Sequence, residues 1–270
     1  MARGKKIDNR PTVKVVTDNR FITANGLQNL SLKARKLLYI AISQVRKTDT
    51  DFFLFSISPV EFADLMGVAP SHVYQEADKL AEELQPIGIR CDLPDGETTR
   101  RYSMFSYIEY GKDKQITFKL NPDMTDFLLE LKGNFTQPLL QDFLKMNSPY
   151  SMAIWHLMQR EMQSKKPGAE SIDFYLSLEE LRVVTGTETK FKQLVEFKRR
   201  VLDKAIREIA DNCGVVITYE NVKQSRTVIG FSFTASGYFP INDDMISAET
   251  KARAAAGLER IRHKRELASV

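Results

Sequence analysis

Apolar and polar residues alternate with two different periods in the first part of the chain. The segment VKVV at residues 13–16 predicts a short strand, and after Ser31 apolar residues recur every three or four positions as far as about residue 46. This spacing predicts a helix with Ser31 as its N-cap, because a serine side chain can accept a free backbone N–H of the first turn. The continuous apolar run FFLFSIS at residues 52–58 predicts the next strand.

Two short helices are predicted after this strand. Ser58 is followed by Pro59 and, three residues on, by Glu61, which is the pattern of a capping box with proline in the first turn. The helix is expected to end at Gly67, and a second helix is expected over residues 72–85. Two short helices joined by a glycine-containing turn are typical of a helix-turn-helix.

The following residues complete a recognisable order of elements. Apolar and polar residues alternate at 87–92 and 100–120, which predicts hairpin strands, with a Pro-Asp-Gly turn at 94–96 between the first two. A helix is expected near residues 122–131. Helix, strand, helix-turn-helix and hairpin in this order describe a winged helix.

The same order is predicted a second time. A helix covers residues 148–163, and a strand follows at 172–176. Ser177, with a glutamate three residues later, predicts a capped helix that ends in a turn at Gly186. A long helix at about 191–212 and the strands VVITYE and TVIGFSFT complete the pattern.

The repeated order predicts an α+β protein with two tandem winged-helix domains. The expected parts are a flexible basic arm (1–12), a first winged-helix domain (13–147), a second winged-helix domain (148–238) and a charged tail (239–270). The tail is expected to be partly helical.

Composition and charge limit the classes of function. The chain has 270 residues and a formal net charge of +4, a mild basicity that is compatible with a nucleic-acid partner. No stretch approaches the roughly 20 apolar residues of a membrane helix, and no apolar run follows the first charged residues as in a secretory signal. Cys91 and Cys213 form no CxxC pair, which suits a reducing compartment. We therefore expect a cytoplasmic protein with no membrane partner.

Motifs for catalysis are weak in this sequence. The three histidines, His72, His156 and His263, form no HxH or HExxH pattern, and no GxxxxGK[ST] loop is present. The Trp155-His156 pair lies on an amphipathic helix and is expected to pack in the core. We therefore expect no metal, no cofactor and no enzymatic activity, although a nicking protein that uses a tyrosine is kept as a rival hypothesis.

The long helix carries the clearest functional signal. At about 100° per residue, Leu194, Phe197, Val201, Leu202, Ala205, Ile206 and Ile209 fall on one side and charged residues on the other. The second helix of a helix-turn-helix enters the major groove of DNA. Expected DNA contacts here are Lys190, Lys192, Glu196, Arg199, Arg200, Asp203, Lys204 and Arg207, with Lys223 and Arg226 in the basic turn between the last two strands. A charged face that is only solvated is the alternative, and Lys198, which falls among the apolar residues, is expected to extend outward.

The corresponding helix of the first domain is mainly acidic. Its expected DNA contacts are Ser71, His72, Gln75 and Lys79, but Glu76, Asp78, Glu82 and Glu83 share the segment and repel phosphates. Lys33, Arg35 and Lys36 on the preceding helix are alternative contacts. The aromatic residues Tyr102, Phe105, Tyr107 and Tyr110 are interpreted either as a subunit interface or as ordinary core and strand-face residues.

Three stretches of the chain resemble the replication initiators of iteron-containing plasmids. They are NRFITANGLQNLSLKARKLLYIAISQV, SPYSMAIWHLMQR and the long segment from SLEELRVVTGTETKFKQLVEFKRRVL to the last hairpin, so that the resemblance spans about residues 13–235. It implies two winged-helix domains, with Lys192, Arg199 and Arg200 where the family reads the major groove.

The resemblance also implies the partners of this chain. Monomers of the family bind repeated origin sites on double-stranded DNA and help to open the duplex. Dimers, joined largely through the first domain, often bind an operator inverted repeat and repress the initiator's own gene, and host replication proteins such as the helicase and its loader are recruited. A winged-helix transcriptional repressor without a replication role remains the alternative.

Overall fold

The computed structural model describes residues 13–22, 26–45, 54–92, 97–112, 114–128, 131, 135–163 and 171–237. The expected arm at 1–12, the Pro-Asp-Gly turn at 94–96 and the charged tail at 239–270 lie outside these residues. Among the described residues, no helix is long and apolar enough to cross a membrane.

The first half contains the predicted elements and several short additions. In chain order they are β1 (Thr17–Asp18), α1 (Asn19–Ile22), a 3₁₀ turn (Leu27–Asn29), α2 (Leu32–Ser43), β2 (Leu54–Ile57), α3 (Pro59–Met66), a 3₁₀ turn (Pro70–His72), α4 (Val73–Leu84), β3 (Gly88–Asp92), β4 (Thr99–Ser103), β5 (Phe105–Glu109), β6 (Ile116–Leu120), a 3₁₀ turn (Pro122–Met124), α5 (Thr125–Leu128), β7 (Phe135–Thr136) and α6 (Leu140–Lys145). The strand expected at 13–16 is reduced to a single bridge between Lys14 and Leu139.

Local capping signals place the helix starts of this half as predicted. The Ser31 hydroxyl accepts the Ala34 backbone N–H at 3.3 Å, and α2 begins at the next residue. At the start of α3, Ser58 and Glu61 form both hydrogen bonds of the capping box. The short polar side chains satisfy N–H groups that a helix start otherwise leaves without partners.

The strands of the first half form a winged-helix sheet and an additional ribbon. β2 pairs with β6 and β6 with β5, so the first strand lies beside the last. β3 and β4 form a separate two-stranded ribbon. The predicted strand region at 100–120 is thus divided between the two sheets, and the fully buried Met104 lies at the bend between β4 and β5.

The second half repeats the winged-helix order. Its elements are α7 (Pro149–Gln163), β8 (Ser171–Ser177), α8 (Leu178–Thr185), α9 (Leu194–Phe197), a π-turn (Lys198–Leu202), α10 (Asp203–Cys213), β9 (Val216–Gln224) and β10 (Thr227–Ser236). α9, the π-turn and α10 form one continuous helix, called here the long helix (residues 194–213). The sheet order is β8-β10-β9, which again places the first strand beside the last.

The buried apolar side chains of both halves belong to one continuous cluster. Helix α7 joins the halves, because it packs on the long helix and α8 and also on α1 and β7. Trp155 and His156 of α7 are each 1% exposed, which confirms the expectation that this pair packs in the core. His156 Nδ1 lies 3.0 Å from the Tyr39 hydroxyl, and Nε2 lies 3.1 Å from that of Thr17.

The two helix-turn-helix glycines allow a matched stability test of the contact between the halves. Gly67 (φ 62°) and Gly186 (φ 61°) end α3 and α8 in the same left-handed conformation, as predicted. A Cβ at Gly67 meets nothing within 4 Å, whereas at Gly186 it would lie 3.0 Å from Cγ, 3.1 Å from Cβ and 3.3 Å from the carbonyl oxygen of Gln28 in the first half.

Gly186→Ala is therefore expected to cost more stability than Gly67→Ala. Both substitutions pay about 1 kcal/mol for a left-handed alanine, and the crowding at Gln28 adds about 1 to 3 kcal/mol at Gly186 alone. Urea unfolding of the two variants measures the difference. In a Gln28→Ala background, which removes the Cγ contact but keeps those of Cβ and the carbonyl oxygen, the cost of Gly186→Ala is expected to be smaller but not abolished. Equal losses at both glycines would show that Gln28 yields without cost.

Candidate nucleic-acid interface

The long helix has the buried back and exposed front that its sequence predicts. Phe197, Val201, Leu202, Ala205 and Ile209 are buried, and Leu194 and Ile206 are partly buried against the same core. Arg199, Arg200, Lys204 and Arg207 are exposed on the other side. The helix therefore presents a basic surface while its apolar side anchors it to the domain.

Arg200 is held in a defined orientation on this surface. Its Nε lies 3.1 Å from a carboxylate oxygen of Glu196, one helical turn earlier. Its guanidinium carbon lies 5.7 Å from the ring centroid of Phe191. Glu196, an expected DNA contact, is thus adjacent to Arg200 and restrains its side chain. The guanidinium N–H groups that do not contact Glu196 remain available as hydrogen-bond donors.

The helix begins later than the sequence indicates. It starts at Leu194, because Phe191 has a φ of 49° and a helix cannot run through a left-handed residue of this kind. Lys192, expected on the helix, therefore lies with Lys190 in the preceding loop, and both are exposed. The expectation that Lys192 projects from the helix itself is wrong.

Arg182, which sequence reasoning did not single out, organises this loop. Its guanidinium donates to the backbone carbonyls of Thr187 (2.9 Å), Lys190 (3.0 Å), Phe191 (3.0 Å) and Lys192 (3.4 Å). The guanidinium carbon also lies 4.7 Å from the ring centroid of Phe197 on the long helix. A basic residue in the last turn of α8 is the only sequence signal for this role, because such residues often bind carbonyl groups at a helix end.

Asp203 and Lys198 connect the long helix to the hairpin. The Tyr219 hydroxyl donates to Asp203 at 2.7 Å, and burial, followed by this carboxylate, raises the pKa of Tyr219. The Lys198 ammonium lies 4.8 Å from the Tyr219 ring centroid. Lys198 thus extends outward along an aromatic surface as expected, whereas Asp203, an expected DNA contact, is engaged by β9.

The hairpin and the first helix-turn-helix supply further exposed residues. Lys223 and Arg226 are exposed at the tip of the β9–β10 hairpin. In the first half, Ser71, His72, Gln75 and Lys79 are also exposed, as a DNA contact requires.

The acidic residues of α4 are largely engaged within the protein. Glu76 forms an ion pair with Lys33 at 2.7 Å, Asp78 accepts the Tyr110 hydroxyl, and Glu83 accepts the Ser31 backbone N–H at 3.0 Å. Of these three, Glu76 has a cationic partner, so the repulsion of phosphates by this helix is reduced at its N-terminal end.

Arg35 and Lys36, two alternative contacts of the first half, form hydrogen bonds within the protein. Arg35 is 4% exposed and donates to the Leu27 carbonyl at 2.5 Å, so the expectation that it reaches DNA is wrong. Lys36 donates to the Leu144 carbonyl at 2.7 Å, and burial lowers its pKa.

Two of the aromatic residues considered for a subunit interface pack within the protein. Phe105 is buried and Tyr102 packs on Phe127, with ring centroids 5.2 Å apart.

The architecture and this surface define a tandem winged-helix protein of the DNA-binding class. A family model described as "Initiator Replication protein, WH1" matches residues 14–159, and one described as "Initiator Rep protein, WH2" matches residues 177–235. The chain therefore belongs to the family of replication initiator proteins, which confirms the resemblance inferred from its sequence.

Two similar proteins support the family and the fold. The "PI protein" of Escherichia coli is 22% identical over 256 residues, which are 83% of this chain and 82% of that protein. A solved structure, "Crystal structure of Pi initiator protein in complex with iteron DNA", has 20% sequence identity and a TM-score of 0.71, and the match covers 86% of this chain and 100% of the other. At this identity the structural likeness shows the fold.

Proposed function

We propose that this protein is a plasmid replication initiator that binds repeated origin sites through its second winged helix. The observation that carries the proposal is the exposed basic front of the long helix, with Arg199 and Arg200 backed by a buried apolar side. An arginine can form two hydrogen bonds with guanine O6 and N7 in the major groove. The exposed lysines and arginines beside it neutralise phosphates without reading sequence.

The resemblance and the related initiator supply the rest of the proposal. The similar solved structure is of an initiator in complex with iteron DNA, and we extend repeat binding from that protein to this one. Opening of the origin, recruitment of host helicase and loader, and repression of its own gene as a dimer are the further steps that the family implies.

The first test is the loss of sequence preference in Arg199→Ala. A lost bidentate contact is expected to weaken binding to the repeats by about 5- to 150-fold, and binding to random duplex by only a few-fold. Fluorescence anisotropy at one fixed salt concentration measures both affinities. Lys112→Ala, which removes an exposed charge from the first half, is the control and is expected to retain the preference.

The outcomes of this test separate the roles of the arginine. Equal losses on both duplexes would mean that Arg199 contacts only phosphates, and a wild-type protein without preference for the repeats would contradict the proposed function.

A replication assay separates the initiator from a repressor. A plasmid that carries this gene and its flanking repeats is expected to replicate, whereas a pure repressor would silence the promoter and leave the plasmid unreplicated.

A cleavage assay tests the enzyme hypothesis. When the protein is incubated with supercoiled origin DNA and Mg²⁺, the DNA is expected to remain uncut. Nicked product would favour the tyrosine-dependent enzyme instead.

A further inference from the structure

Val195 has an unusual position on the basic surface. It is the second residue of the long helix and 76% exposed, more than any other large apolar side chain that the structure describes. Exposed helix positions favour alanine or long polar residues, because a β-branched side chain loses rotamer freedom in a helix. In the protein alone, Val195 thus stabilises neither the core nor the helix.

Exposed cations lie on both sides of Val195 along the chain. Arg199 lies one helical turn further along, and exposed Lys192 lies just before the helix. The 3.1 Å contact between Glu196 and Arg200 shows that side chains four residues apart are adjacent here. Val195 and Arg199 have the same spacing, so they occupy neighbouring positions on the front of the helix. An apolar protein surface that lacks acidic groups would bury these cations without a partner, which is costly, whereas DNA supplies the opposite charge.

We propose that Val195 packs against the C5-methyl group of a thymine in the major groove and thereby specifies an A·T pair in the repeat. Thymine is the base that presents an apolar group in this groove, and apolar side chains distinguish it by contact. The inference rests on the proposed function and adds to it a residue that reads sequence without a hydrogen bond.

Replacement of thymine by uracil tests the contact directly. Deoxyuridine retains the base pair and the O4 acceptor and removes only the methyl group. With duplexes in which each thymine of the repeat is replaced in turn, wild-type binding is expected to weaken by roughly fourfold at one or two positions, the effect of exposing one buried carbon group. Val195→Ala is expected to bind the unmodified repeat more weakly and to lose its response to uracil at those positions.

Two valines outside this surface provide matched controls. Val216 on β9 is 59% exposed and Val60 on α3 is 70% exposed, so alanine at either removes the same groups from solvent-accessible positions. Both variants are expected to retain the wild-type response to uracil. Because alanine is the better helix former, Val195→Ala is expected to fold normally, which circular dichroism checks.

The results distinguish this inference from the proposed function. If wild type and Val195→Ala respond identically to uracil at every position, Val195 is only solvated and the inference is overturned. If wild type shows no preference for the repeats over random DNA, the proposed function itself fails, and that result appears before any thymine is replaced.

Discussion

Arg182→Ala is expected to weaken binding to the repeats by about 30-fold or more, although Arg182 need not touch DNA. Its guanidinium donates to four carbonyls of the loop that carries Lys190 and Lys192 and precedes the long helix. Without it the loop must be ordered when DNA binds, and ordering a segment costs about 2 kcal/mol or more. The free energy of unfolding is also expected to fall by about 3 kcal/mol, because hydrogen bonds to a charged group stabilise by roughly 1.5 to 3 kcal/mol each and are not additive.

Arg182→Lys separates the charge from the geometry. Lysine retains the positive charge but has a single ammonium group in place of a planar fork, so it cannot reach all of these carbonyls. We expect faster hydrogen exchange in residues 187–192 and an affinity between those of the wild type and Arg182→Ala. Arg101→Ala, at an exposed position of β4, removes one positive charge as Arg182→Ala does and is the control for net charge. Normal binding and normal exchange in Arg182→Ala would contradict this role.

Between pH 7.5 and pH 5, the stability gap between wild type and His156→Gln is expected to narrow by about 2 kcal/mol. Burial, and to a lesser degree the charge of Arg35, lowers the pKa of His156 from 6.5 to about 3. Above pH 6.5 the histidine is neutral in both the folded and the unfolded chain. Below it, protons bind the unfolded chain first, so stability is lost at about 1.4 kcal/mol per pH unit as the pH falls toward 3. Glutamine does not titrate, and the variant therefore lacks this loss.

Asp142 makes the comparison with a variant necessary. Burial raises the pKa of this carboxyl group from 3.8 to about 6. Its contribution to stability is complete below pH 3.8 and is lost as the pH rises through 6, which is opposite to that of His156. Wild-type stability alone thus mixes two slopes of opposite sign. Urea unfolding of His156→Gln and Asp142→Asn at both pH values separates them, and a gap for His156→Gln that does not change with pH would show that His156 is not held neutral.

Local signals account for the elements that the sequence predicted correctly. Ser31, Ser58 and Ser177 cap helices through bonds to residues three positions away, and Gly67 and Gly186 end helices through their own backbone conformation. Such interactions depend on a few consecutive residues, so they can be read from the chain. The repeated winged-helix order was predicted from these signals together with the apolar spacing of the long helix.

Features that depend on distant contacts were not predictable in the same way. Arg35 appeared as a surface cation because arginine is rarely buried, yet it reaches the Leu27 carbonyl inside the protein. Arg182 gains its role only when the loop folds back over it. Lys192 was placed on the helix because nothing in its sequence spacing reveals the left-handed conformation of Phe191.

The π-turn of the long helix determines how this segment tolerates changes of length. Within it the Asp203 backbone N–H donates to the Lys198 carbonyl five residues earlier, so the turn holds one residue more than an α-helical turn. Removing one residue between 198 and 202 would allow ordinary α-helix throughout and leave both ends facing as they do now. Tightening the turn with all its residues retained would instead rotate one end against the other by about 100°. A single-residue deletion usually misaligns the apolar and polar faces of an amphipathic helix, but in this helix it is the milder of the two changes.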